Sequence, residues 1–101
     1  MKMLLTVTMP HEPFNSLVRE GSAGKILGQI LEAMKPEAAY FTEQHGMRCA
    51  IFVVNVNNGA DVPKFAEPFF LKFEADCEFR ILMSPEDLQK AGLEQIGKTW
   101  A

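Results

Sequence analysis

The chain has 101 residues, 48% of them hydrophobic and 23% charged, with a formal net charge of −3. Those totals fit one domain (1–101) around one core, and the acidic balance argues against a nucleic-acid backbone or an anionic membrane as partner. Two cysteines, Cys49 and Cys77, make no disulfide framework and read as small apolar residues in a reducing compartment.

The apolar run Met1–Leu5 ends at Thr6 and Thr8, too short for a signal core, and no stretch reaches membrane-spanning length. The expected location is cytoplasmic. Met3 to Met9 alternates, with Met3, Leu5, Val7 and Met9 on one side and Leu4, Thr6 and Thr8 on the other, which is the period of a strand. Pro10 and Pro13 end it.

From Phe14 to Met34 the apolar residues Phe14, Leu17, Val18, Leu27, Ile30, Leu31 and Met34 recur at helical spacing. Gly21 and Gly24 weaken a helix between them, so the pattern predicts a break there, resumption at Lys25 and an end at Pro36. The segment Gly21–Lys25 has the wrong spacing for a phosphate loop. Ala38–Gln44 reads as a second strand and His45-Gly46 as a two-residue hairpin turn. That turn sets Gln44 opposite Met47, Glu43 opposite Arg48, Phe41 opposite Ala50 and Ala39 opposite Phe52. The Glu43–Arg48 match of opposite charges supports the register.

Arg48–Val56 is the longest β-branched and aromatic run, free of Gly and Pro and apolar on both sides, as a central strand should be. Asn57–Asp61 is a turn cluster ending in a candidate helix cap, with Pro63 suited to a first turn. Phe65, Ala66, Phe69, Phe70 and Phe73 make an aromatic helical face, and Pro68 within it predicts a short or kinked helix. Cys77–Met83 is the fourth strand. Ser84-Pro85-Glu86-Asp87 is a strong helix start, and Leu88, Leu93, Ile96 and Trp100 form an apolar stripe on the tail.

The order βαββαβ predicts an α+β fold, a ferredoxin-like sandwich with helices on one side of an antiparallel sheet and an extra C-terminal helical tail. The first and third strands would be central, with the first separating the two cysteines. Uniform apolarity assigns Met3/Leu5/Val7, Cys49/Ile51/Val53 and Phe79/Ile81/Met83 to the helix-covered side. Leu4, Thr6, Thr8, Phe41, Ala50, Phe52, Val54, Arg80 and Leu82 are left for the open side, too apolar to stay wet.

One cover for such a face is single-stranded RNA, as in the RNA-recognition motif. Here Phe52 alone could stack a base on the third strand, and Leu4 stands where the first strand should offer an aromatic, so no nucleic-acid partner is expected. The other cover is a second copy. In the layout of its strands, interrupted first helix, hairpin at His45-Gly46 and Pro-containing second helix, the chain resembles the dimeric α+β barrel superfamily. Muconolactone isomerase-like and antibiotic-biosynthesis monooxygenase-like proteins belong to it. Lys35–Glu43 and Ser84–Leu88 look like small bacterial proteins of unknown function in that group. The resemblance implies a homodimer whose sheets pack face to face around a pocket, with no particular reaction.

The polar groups of such a pocket would be Thr6, Thr8 and Arg80 among Phe41, Phe52 and Leu82, a set suited to a small hydrophobic or anionic molecule. The plainer reading pairs Arg80 with Glu78 or Glu43 at the rim. His11 beside Glu12 is a weak catalytic candidate, as is Arg80; adjacent residues of this kind more often simply start a helix. His45 is explained by its turn. Tyr40 and Cys49 are expected on the helix-covered side as core residues. No ligand spacing for a metal occurs and no cofactor is expected. The expected function is that of a homodimeric small-ligand-binding or structural barrel. The alternative is a cofactor-independent isomerase or monooxygenase-like enzyme acting on a small hydrophobic or carboxylated compound.

Overall fold

A computed structural model describes all residues 1–101. Strand β1 (Lys2–Met9) is followed by helices α1 (His11–Glu20) and α2 (Ala23–Met34). Strands β2 (Ala38–Gln44) and β3 (Met47–Asn55) come next, then helix α3 (Asp61–Phe73) and strand β4 (Asp76–Ile81). Two short helices, α4 (Pro85–Ala91) and α5 (Leu93–Trp100), complete the chain. The antiparallel sheet has the order β2-β3-β1-β4, with β1 and β3 inside, and fits a ferredoxin-like layout. No helix is long and apolar enough to cross a membrane.

The break between the first two helices has a local cause. Gly21 takes φ 80°, and the amides of Gly21 and Ser22 donate to the carbonyls of Val18 and Leu17. This double bond closes a helix end through a residue without Cβ. Helix α2 restarts two residues later, at Ala23 rather than Lys25. Pro68 sits inside α3 without ending it, and α3 runs 13 residues. Asp61 opens α3 from within: its carboxylate accepts the amides of Asn57 and Asn58 and holds Lys64 at 3.2 Å, bracing the turn rather than capping the helix. The cation beside it, with those amides, keeps the carboxyl below its ordinary range.

The hairpin register is the expected one, with Glu43 opposite Arg48 and Phe41 opposite Ala50. The expected charge pair does not form. Glu43 accepts the Gly46 amide at 2.9 Å, while Arg48 donates to Asn15 at 2.8 Å and lies 4.4 Å over the Phe14 ring. Arg48 thus gains an aromatic face and a neutral acceptor, both more shielded than the loop carboxylate.

The sides of β3 are reversed from the expectation. Leu5 stands opposite Phe52, Val7 opposite Ala50 and Met3 opposite Val54, and residues directly opposite share a side of the sheet. Ala50, Phe52 and Val54 therefore face the helices and are buried with Leu5 and Val7, and Phe41 turns to that side too. Ile51 and Val53 turn to the open side with Tyr40, which is 69% exposed and no core residue. Cys49 is buried as expected, but on the open side, opposite Thr8 and Thr42. Both sets on β3 are apolar, so composition alone could not choose between them. On β4, Cys77 and Phe79 pack on the core, whereas Ile81 ends the strand exposed and Met83 lies beyond it, also exposed.

Phenylalanines thread the core. Phe52 stacks on Phe69 at 5.6 Å, Phe69 meets Phe73 at 6.4 Å, and Phe73 meets Phe14 at 5.0 Å. These separations suit attractive offset packing of aromatic rings.

Candidate functional site

The open side of the sheet carries three short rows that cross all four strands. One row runs Tyr40, Ile51, Thr6, Glu78; the next runs Ala38, Val53, Leu4, Arg80; a third runs Thr42, Cys49, Thr8, Asp76. Aliphatic groups occupy its centre and charged groups the β4 edge. Strand alternation places these residues together, since every second side chain projects to the same side. Helices α1, α2 and α3 pack with Leu5, Val7 and Phe52 on the other side, and α4 and α5 bury no residue.

Of the residues expected to line a pocket, Thr6, Thr8 and Arg80 share the open side. Leu82 follows the last strand, where its amide donates to the Lys2 carbonyl at 3.0 Å, and it borders an open cleft of about 490 Å³ with Lys2, Met83, Ser84 and Asp87. Phe41 and Phe52 do not belong to the set. Phe52 is fully buried among the helices, and Phe41 leans on it edge to face at 6.2 Å. Ile51, Val53 and Tyr40 take their places, and the pairing of Leu5 with Phe52 was the information needed to find them. Arg80 forms no ion pair, neither with Glu78 nor with Glu43.

The histidines stand apart from this surface. His11 is exposed as the first residue of α1. Its neighbour Glu12 accepts the amide and hydroxyl of Ser16 at 3.0 and 2.7 Å and faces Arg19 at 3.5 Å. Ser16 first, then Arg19, hold that carboxyl below its usual range, as a helix-start acceptor rather than a base for His11. His45 takes φ 54° in the hairpin turn. No group of three or more His, Cys, Asp and Glu side chains is placed to hold a metal ion. The chain matches no family model, no curated protein and no solved structure.

A second cleft of about 450 Å³ lies between the end of α2 and the start of α3, floored by Ile30, Met34 and Phe65. Its polar residues Asn55, Asp61 and Lys64 already satisfy one another or the nearby backbone and Glu37. That leaves a ligand few free partners. The open side of the sheet, with Arg80 unpaired and Tyr40 and Thr6 aligned across it, is the better candidate.

Proposed function

We propose that the chain works as a homodimer in which two open sheet faces pack against one another, forming an α+β barrel that holds a small, mainly apolar molecule with an anionic group. One observation carries this reading: Leu4, Ile51 and Val53 form an apolar centre that nothing in the chain covers, beside an unpaired Arg80. Apolar surfaces of this kind mark interfaces, and packed sheets about 10 Å apart leave interior room only where side chains are small. Thr6, Thr8 and Cys49 supply such a place. Arg80 offers a planar fork for a carboxylate, and the hydroxyls of Thr6 and Tyr40 offer orientation.

The enzymatic alternative, a cofactor-independent isomerase or monooxygenase-like activity, draws on the row that holds Tyr40, Thr6 and Glu78, where a phenol and an acid stand at the two edges of the open face. His11 plays no part in it. Native mass spectrometry of the purified protein, repeated on the denatured sample, tests the proposal. The expected spectrum is a dimer carrying extra mass that denaturation removes. A bare monomer at every concentration contradicts the dimer, and a bare dimer contradicts the ligand.

A further inference from the structure

The tail is the least explained part of the molecule. Helices α4 and α5 bury no residue at all, and Trp100 is 84% exposed. Yet α5 is built as an interface helix. Leu93, Ile96, Gly97 and Trp100 fall on one stripe, with Glu94, Gln95, Lys98 and Thr99 on the other side. An amphipathic helix this short owes little of its stability to propensity and needs a surface for its apolar stripe.

The chain's own sheet is not that surface. Ser84 accepts the Asp87 amide at 3.1 Å while Asp87 accepts the Ser84 amide at 2.9 Å, a closed capping box, and Pro85 follows at the first helical position. These contacts fix the direction in which α4 leaves the sheet. The result is a molecule 60 Å long with a radius of gyration of 17.2 Å, against about 13 Å for a compact domain of this size.

A matching bare surface exists at the opposite edge of the sheet. Strand β2 is exposed along nearly its whole length, and on its helix side Phe41 stays 55% exposed because no helix reaches over it. We infer that the C-terminal arm of one protomer clasps the β2 edge of its partner, seating Leu93, Ile96 and Trp100 on the partner's copy of the Phe41 surface. The inference rests on the homodimer proposed above and assigns it a second contact.

Three geometrical facts favour a second copy as the occupant. When two sheets face each other across a two-fold axis parallel to their strands, the β4 edge of each copy lies over the β2 edge of the other, which follows from the order β2-β3-β1-β4. The arm starts at the end of β4, at that junction. Helix α4, with seven residues, spans about 10 Å, the usual gap between packed sheets of about 10 Å. Gly92, at φ 69°, closes α4 and turns the chain into α5, which in such a dimer would begin beyond the partner's edge.

Area points the same way. Four strands about 4.8 Å apart, six to nine residues long and rising about 3.4 Å per residue, give a face of roughly 500 Å² in projection. A stable interface takes about 800 Å² from each partner. The arms and the β2 edges are further unpartnered apolar surface that the same dimer would bury, with Phe41, Leu93, Ile96 and Trp100 all exposed in the single chain.

Trp100 is the only tryptophan in the chain and reports on its own surroundings. Its emission and the sedimentation of the protein are followed together through a dilution series, for the wild type, Phe41→Glu, Ile96→Glu and the double variant. The expected result is blue-shifted emission in the dimer that moves red as the dimer dissociates. Each single variant should weaken the dimer about tenfold or more and redden the emission, with the double variant little worse than either single one. Circular dichroism checks that each variant folds. A wild-type dimer with the emission of a water-exposed indole overturns the clasp and leaves the face-to-face dimer standing. Blue-shifted emission that persists in the diluted monomer places the arm on its own chain and also overturns it. A wild type that never dimerises overturns both proposals.

Discussion

Phe41 and Phe52 meet edge to face with ring centroids 6.2 Å apart, yet Phe52 is fully buried and Phe41 is more than half exposed. The pair marks the boundary of the helix layer. On the β3 side of it the phenylalanine series continues through Phe69 and Phe73 to Phe14; on the β2 side it ends at an uncovered ring.

That boundary predicts unequal costs for the same substitution. Phe52→Ala should destabilise the fold by about 3–5 kcal/mol, the range for deleting a buried aromatic ring. Phe41→Ala should cost about 1 kcal/mol in the monomer, the scale of one edge-to-face contact. Urea denaturation at concentrations that keep the chain monomeric distinguishes the two. Equal costs would mean that β2 is covered on its helix side within a single chain.

Gly21 carries the break between α1 and α2. A Cβ there would touch nothing within 4 Å, so the cost of Gly21→Ala comes from its φ of 80° alone. The expected loss is about 1–2 kcal/mol, read from the same denaturation curves. Gly28→Ala, equally uncrowded and inside α2, should instead be neutral or stabilising.

Cys77 predicts an alkaline weakness. Burial, and secondarily the charge of Asp76, push its thiol up to about 11. An unfolded thiol ionises near about 8.5, so above that pH the unfolded chain sheds a proton that the folded chain keeps. Stability from this group is intact below about 8.5 and falls as pH rises toward the folded value. The urea midpoint should drop between pH 8 and 10.5, roughly the window these two values set, and Cys77→Ala should drop less. The thiol should also react slowly with iodoacetamide at neutral pH.

Arg80 separates binding from assembly. Arg80→Gln removes the guanidinium and its charge but leaves a polar side chain on the open face, so the dimer should persist while any retained anionic molecule disappears from the native mass spectrum. Retention of the same mass by Arg80→Gln would remove Arg80 from the site.

Most of the fold could be read from the sequence because its signals are local. Gly21, Pro36, the His45-Gly46 turn and the Ser84-Pro85 start each act within a few residues, and each does in the structure what its chemistry suggests. The hairpin register followed from its turn in the same way. The candidate site did not, because it depends on pairing between β1 and β3, whose partners run from Lys2 with Asn55 to Met9 with Arg48 across the first half of the chain. Cys49, Ile51 and Val53 are as apolar as Ala50, Phe52 and Val54, so alternation gives no preference for either side. One long-range partnership, Leu5 with Phe52, decides the whole set. Phe41 and Tyr40 exchanged sides for the same reason. The Glu43–Arg48 attraction failed for a different one: Phe14 and Asn15, distant in sequence, compete for the guanidinium.

In the proposed dimer a second copy covers the open side of the sheet. Sedimentation equilibrium of the wild type beside Ile51→Glu tests it most directly, since Ile51 lies in the middle of that face and outside the helix-side core. The expected wild-type species has twice the 11.3 kDa chain mass, with Ile51→Glu folded and monomeric. A monomeric wild type, or an Ile51→Glu dimer as tight as the wild type, would contradict it.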